Sequence, residues 1–155
     1  MHNSQKGFTL IELLIVFAII GILVAVGATV VPGLLGGAKE KATVENHSQI
    51  ASFLQIKSTQ CSNGAENLTY TSSLRGETIT IACTTNIQEH LQAIVNHLKY
   101  ENFKNPFNTY EPAVIESQSN TPNEGSTHLS CYDNSCNLFT NTGSSILHAT
   151  VDWKQ

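Results

Sequence analysis

Residues 6–24 read Lys6-Gly7-Phe8-Thr9-Leu10-Ile11-Glu12-Leu13-Leu14-Ile15-Val16-Phe17-Ala18-Ile19-Ile20-Gly21-Ile22-Leu23-Val24. One carboxylate, Glu12, stands near the start of an otherwise apolar run, and residues 13–38 carry no charged side chain. A bilayer's hydrocarbon core is about 30 Å thick and takes about 20 helical residues to cross. Without water in that core the backbone must bond to itself, which a single helix does. The run is long enough. A cleaved secretory signal has a shorter apolar region, about 7–15 residues, with a small-residue cleavage site after it. An ordinary membrane anchor accounts for the length but leaves Glu12 unexplained. A charge at the bilayer centre costs about 2.5–3.5 kcal/mol on insertion scales, so such a residue has a partner and a purpose.

The stretch from Lys6 to Val16, followed by Ala18-Ile19-Ile20-Gly21-Ile22-Leu23, resembles the N-terminus of type IV prepilins. The resemblance covers about 25 residues. It implies a leader, residues 1–7, removed by a membrane prepilin peptidase that cuts between Gly7 and Phe8. It implies N-methylation at Phe8, a membrane and filament-core helix over 8–37, and a periplasmic or extracellular head over 38–155. It assigns Glu12 to assembly, facing the N-terminal amine of a neighbouring subunit. In apolar surroundings such a pair is strong, and an unpaired partner is costly, which makes Glu12 a register device. One departure stands out. Many pilins carry a proline about two-thirds along the helix; here the proline of the segment is Pro32, with Gly33 and Gly36-Gly37 beyond it. Either these residues bend the helix, since proline removes a backbone hydrogen bond, or they mark the membrane edge.

The remainder has a different character. The chain has 155 residues and a formal net charge of −4, with charged side chains at 13% against about 25% in typical soluble domains. That balance offers no footprint for a nucleic-acid backbone. The segment after Ala38 is rich in Asn, Ser and Thr, so one average describes neither part.

Cys61, Cys83, Cys131 and Cys136 all lie outside the apolar run. An even count in a small exported region reads as two disulfides, and four cysteines allow three pairings that spacing does not separate. The favoured arrangement joins Cys61 to Cys83, tying the helix end to a strand. It then joins Cys131 to Cys136 around Asp133-Asn134-Ser135. A four-thiolate zinc site needs two close cysteine pairs, and only Cys131 and Cys136 are close.

From Ala38 the helix is expected to continue, with Val44, Ile50, Phe53, Leu54 and Ile56 on one face and an end near 58–61, before Asn63-Gly64. Residues 76–83 alternate as a strand. A second helix follows, capped by Thr85 or Asn86, with Ile87, Leu91, Ile94, Val95 and Leu98 on one face. Asn105-Pro106-Phe107-Asn108 reads as an ordered turn with Phe107 anchored in the core. Short strands are expected at 112–117, 127–132, 136–140 and 146–153, with 118–126 a polar loop. The fold class is α+β. The resemblance makes it the type IV pilin fold, a long N-terminal helix packed on a small antiparallel sheet.

No catalytic motif appears, and no cofactor or metal is expected. His90 and His97 lie seven apart on the second helix, too far for a helical metal pair, and read as surface or half-buried. Cys131 and Cys136 lack the C-x-x-C spacing of redox motifs. Asn46-His47-Ser48 and Asn67-Leu68-Thr69 match a glycosylation pattern of little weight beside this leader type. The chain is thus expected to be a substrate of an enzyme, not an enzyme.

The resemblance therefore implies a structural subunit of a type IV pilus serving adhesion, twitching motility or DNA uptake. Its implied partners are further copies in a helical filament, the prepilin peptidase, and an inner-membrane assembly platform. It is single-pass in the inner membrane before assembly and extracellular after it. DNA is a conceivable partner that the acidic head does not support. The alternative is a pseudopilin of a type II secretion system. The major pseudopilin carries a carboxylate-built calcium loop, whereas after residue 125 this chain has only Asp133 and Asp152 as acidic residues.

Overall fold

A computed structural model describes residues 7–72, 76–101 and 103–154. Its elements are α1 (Leu10–Ser62), β1 (Asn67–Thr71), β2 (Thr78–Ala82), α2 (Ile87–Tyr100), β3 (Val114–Glu116), β4 (Thr127–Tyr132), β5 (Ser135–Asn141) and β6 (Ile146–Asp152). This is an α+β arrangement, as expected from the sequence. The chain divides into two compact units, Met1–Gly37 and Ala38–Gln155. The division falls inside α1, whose helical backbone is uninterrupted at Pro32-Gly33 and Gly36-Gly37.

In the first unit α1 is apolar on every side. Each leucine, isoleucine, valine and phenylalanine from Phe8 to Leu35 whose side chain is described is exposed. A helix hydrophobic all round has no face for water and belongs in lipid or among other helices.

In the second unit, α1 turns one stripe towards the head. The stripe is Thr43, His47, Ile50, Leu54, Ser58 and Cys61, with Ile50 and Leu54 fully buried. These positions step by three and four, as one helix face requires. Val44 and Ile56, expected on the buried face, are 43% and 56% exposed. Each lies well off the stripe at about 100° per residue, and polar side chains hold the positions they were assigned. Ser58 Oγ donates to the Asp152 carbonyl at 2.7 Å and accepts from Lys154 N at 3.0 Å. His47 Nδ1 lies 2.8 Å from Thr140 Oγ1. Those bonds remove the penalty of burying polar groups.

α2 begins as expected. Asn86 caps it, Oδ1 accepting from Gln88 N at 3.0 Å. Ile87, His90, Leu91, Ala93, Ile94, Val95 and Leu98 are buried. Sheet order is β3-β4-β5-β6, with β1 and β2 a separate antiparallel ribbon. The sheet is not wholly antiparallel. β3 runs parallel to β4, with Val114, Ile115 and Glu116 opposite Thr127, His128 and Leu129. The connection, residues 117–126, carries the chain back to the same end of the sheet, as parallel pairing demands. β1 adds a strand to those expected: Leu68 and Tyr70 point inward while Asn67 and Thr69 are exposed, an alternation too short to stand out in the sequence.

The core joins Ile50 and Leu54 to Leu91, Ile94, Leu98, Leu129, Leu138 and Trp153. Phe107 lies outside it, half-buried. It is wedged against Gly143, where an added Cβ would come 2.9 Å from Phe107 Cζ. The Lys39 ammonium sits 5.7 Å from its ring centroid.

Candidate functional site

The first helical turn is closed by two side chains. Thr9 Oγ1 donates to Glu12 Oε2 at 2.6 Å, and Thr9 N donates to the same oxygen at 2.9 Å. Glu12 N donates to Thr9 Oγ1 at 3.4 Å, and Leu13 N to the Thr9 carbonyl at 3.3 Å. Thr9 is therefore the cap, and Thr9-Leu10-Ile11-Glu12 forms a capping box. Two backbone donors that lipid leaves unmatched gain partners, and the carboxylate sits at the positive end of the helix dipole. The prepilin resemblance implies a role for Glu12 only between subunits. The Thr-x-x-Glu spacing ahead of an apolar run was the signal for this local one.

Immediately before the cap, Phe8 is 85% exposed. Gly7 is exposed, with nothing within 4 Å of a notional Cβ. The peptide bond between them thus lies open. Lys6 and the rest of the expected leader lie outside the described residues. α1 is long and apolar enough to cross a membrane.

The cysteines lie in the second unit. Cys61 in the last turn of α1 is bonded to Cys83, one residue past β2. Cys131 and Cys136 are bonded across the β4–β5 hairpin, where they are direct partners. No described cysteine is free, so the thiolate zinc arrangement does not form.

His90 and His97 pack into the head. His90, expected at the surface or half-buried, is fully buried. Its Nε2 faces the Ala82 carbonyl at 3.2 Å and its Nδ1 the Tyr70 hydroxyl at 2.9 Å. A carbonyl only accepts, so Nε2 carries the proton and the tyrosine donates to Nδ1. Burial pushes the imidazole below its ordinary value, against the opposite pull of the Ala82 carbonyl and Glu89. His97 accepts from Thr71 N at 3.1 Å and stacks on Phe53, with ring centroids 5.0 Å apart. Burial lowers it too, as it lowers His47.

Asn105, expected only as part of an ordered turn, is fully buried. Its Oδ1 accepts from Phe107 N at 2.8 Å and Asn108 N at 3.1 Å. Its Nδ2 donates to the Glu124 carbonyl at 2.7 Å and to Ser126 Oγ at 3.1 Å. One amide with both acceptor sites and both donors used locks two loops together. Next to a proline, it looked like an ordinary turn residue.

Gly7, Phe8 and Glu12 thus stand together at the start of α1 in one unit, and the cysteines staple the other. The family model of the prokaryotic N-terminal methylation motif matches residues 2–28. No curated protein and no solved structure matches the chain. The motif supports a type IV pilin-like or pseudopilin precursor processed by prepilin peptidase. Over residues 2–28, then, this chain carries the prokaryotic N-terminal methylation motif, the class III signal peptide of type IV pilins.

Proposed function

We propose that this chain is the precursor of a type IV pilus subunit. Residues 1–7 are the leader, 8–37 the membrane and filament-core helix, and 38–155 the exported head. The peptidase cuts between Gly7 and Phe8, the new amine of Phe8 is methylated, and copies pack by burying their apolar helices against one another. The observation that carries this reading is the methylation motif running into a helix whose described apolar side chains up to Leu35 are exposed on every side. Burial of apolar surface is worth about 25 cal/mol per Å², so leaving lipid for a bundle of like helices conserves it. After cleavage, Glu12 exchanges its bond to Thr9 N for the amine of a neighbour's Phe8, and that charge pair sets the axial register.

A pilus is favoured over a type II secretion pseudopilin by the disulfide-closed hairpin at Cys131–Cys136, near the C-terminal end where the major pseudopilin holds calcium. Mass spectrometry of the protein from its native host tests the processing step. The mature chain is expected to begin at methylated Phe8; a chain retaining Met1 overturns the reading. Electron microscopy of sheared cell surfaces tests the assembly. Long filaments containing this chain are expected, whereas a secretion defect without them points to the pseudopilin.

A further inference from the structure

The β1–β2 ribbon is held to the helices by side chains that titrate. Three consecutive residues of β1 each bond one of them. The Thr69 carbonyl accepts from Lys57 Nζ at 3.0 Å, the Tyr70 hydroxyl lies 2.9 Å from His90 Nδ1, and Thr71 N donates to His97 Nδ1 at 3.1 Å. Lys57 belongs to α1 and both histidines to α2, where they stand about two turns apart on one face.

The two histidine bonds share a property. A backbone N–H only donates, so His97 holds Thr71 through a lone pair of the neutral ring. His90 Nε2 gives its proton to the Ala82 carbonyl, which leaves Nδ1 as the acceptor for Tyr70. In each ring the nitrogen open to a second proton is the one that holds β1. A proton and the strand therefore compete for the same lone pair. On His97 the proton sets two donors face to face; on His90 it takes the acceptor of the Tyr70 hydroxyl.

The surroundings of both rings favour the neutral form. Burial holds His97 below its ordinary value, while Glu101 pulls it up and the Lys57 ammonium pushes it down. Burial also holds His90 down, against the Ala82 carbonyl and Glu89. From β1 the Tyr70 ring faces both imidazoles, at 5.9 and 6.5 Å between centroids. Phe53 of α1 stacks on His97, and Trp153 lies beside His90.

The ends of the ribbon are anchored differently. At one end Asn67 pairs with Ala82, Cys83 N donates to the Glu66 carbonyl at 2.9 Å, and the Cys61–Cys83 bond ties Cys83 to α1. Mild acid undoes none of these. At the other end Thr71 pairs with Thr78, and Thr71 reaches α2 through His97. We propose that the ribbon is an acid-operated latch. It is shut on α2 while His90 and His97 are neutral, and it opens from its Thr71 end when they take protons. The hinge is the Cys61–Cys83 disulfide, and the four-stranded sheet stays folded. Opening uncovers Leu68 and Tyr70, which are buried when the latch is shut. The neutral rings favour the shut form, so the latch is closed above about pH 6.5, where a free imidazole titrates. Below that pH the open fraction grows by up to about tenfold per pH unit for each histidine. The device lies wholly within the head and depends on neither processing nor assembly.

Hydrogen–deuterium exchange of the full chain in dodecylphosphocholine micelles tests this, read by mass spectrometry and corrected for the intrinsic effect of pH on exchange. Between about pH 7.5 and about pH 5.0, protection over 67–82 is expected to fall at least about tenfold while 127–141 keeps its own. His97→Gln offers Thr71 an acceptor at every pH, so its fall should be smaller. Glu101 is exposed, so Glu101→Gln keeps the test valid should that variant fail to fold. Without the pull of Glu101, opening should need a lower pH. Unchanged protection over 67–82 overturns the proposal. So does loss from both segments together, which is global unfolding, or a fall that neither variant alters.

Discussion

Asn105 and Gly125 occupy adjoining space so closely that a Cβ on Gly125 would lie 1.9 Å from Asn105 Oδ1. Gly125 also holds φ +76, a backbone conformation that side chains disfavour. Gly125 N donates to the Asn141 carbonyl at 2.7 Å, so the glycine cannot simply move away. Three loops converge on this pair: 103–108, 120–126 and 141–145.

Gly125→Ala should therefore destabilise the head by about 2–4 kcal/mol, combining left-handed strain with a clash against a fully bonded amide. Asn105→Ala should cost about 2 kcal/mol by orphaning the two backbone donors of Phe107 and Asn108. Because the residues touch, the double variant should lose less than the sum. Urea denaturation of the four proteins measures the coupling; strict additivity would show that the contact carries no strain.

The two disulfides should differ in worth. Cys61–Cys83 spans a sequence separation of 22 and Cys131–Cys136 one of 5. Loop entropy in the unfolded chain gives about 3 kcal/mol for the first and about 2 kcal/mol for the second. Paired Cys→Ala variants, compared by denaturation midpoint, are expected to rank in that order. The reverse order would mean that native-state packing, not loop entropy, dominates.

Acid should weaken the head through its histidines. His47, His90 and His97 are all held below their ordinary value by burial, whereas an unfolded imidazole titrates near 6.5. Below that pH the unfolded chain binds more protons than the folded one. The contribution to stability is therefore complete above about pH 6.5 and is lost as pH falls through the folded values. Trp153, the single tryptophan, reports the change, since its ring centroid lies 5.2 Å from that of His90. Its emission should fall together with the urea midpoint between neutral and mildly acidic buffer. His90→Gln should flatten that dependence; an unaltered slope would remove His90 from the account.

At the other end of the chain, Thr9 and Glu12 separate two roles. Thr9→Ala removes the cap, worth about 1 kcal/mol, yet leaves the carboxylate available to a neighbour. Glu12→Ala removes both the capping partner and the charge. Cleavage after Gly7 should survive both changes, because the scissile bond lies ahead of the helix. Filament yield should fall modestly in the first variant and collapse in the second. Immunoblots of the precursor and mature forms, with micrographs of sheared filaments, check both; normal filaments from Glu12→Ala would end the register role.

The features readable from sequence were those whose physics is local. The motif from Lys6 to Glu12, the apolar run and the face of α2 from Ile87 to Leu98 depend on neighbours three or four residues away, and a one-dimensional pattern records that. Even the Thr9–Glu12 capping box was there to be read as Thr-x-x-Glu. Other features depended on which distant backbone groups arrive. Ser58 is buried because the Asp152 carbonyl and the Lys154 amide come to meet it, 94 and 96 residues on. Val44 and Ile56, better hydrophobes, stay outside because no such surface reaches them. Asn105 became a four-bond clasp only when residues 124–126 folded over it, and the parallel pairing of β3 with β4 rests on the path of the loop between them. The sequence by itself determined that the chain carries the N-terminal methylation motif and a first helix long and apolar enough to cross a membrane. The tertiary structure decided which polar side chains the head buries and what surface it turns outward, because a buried polar group is stable only where its partner is, and partners are set by the whole fold.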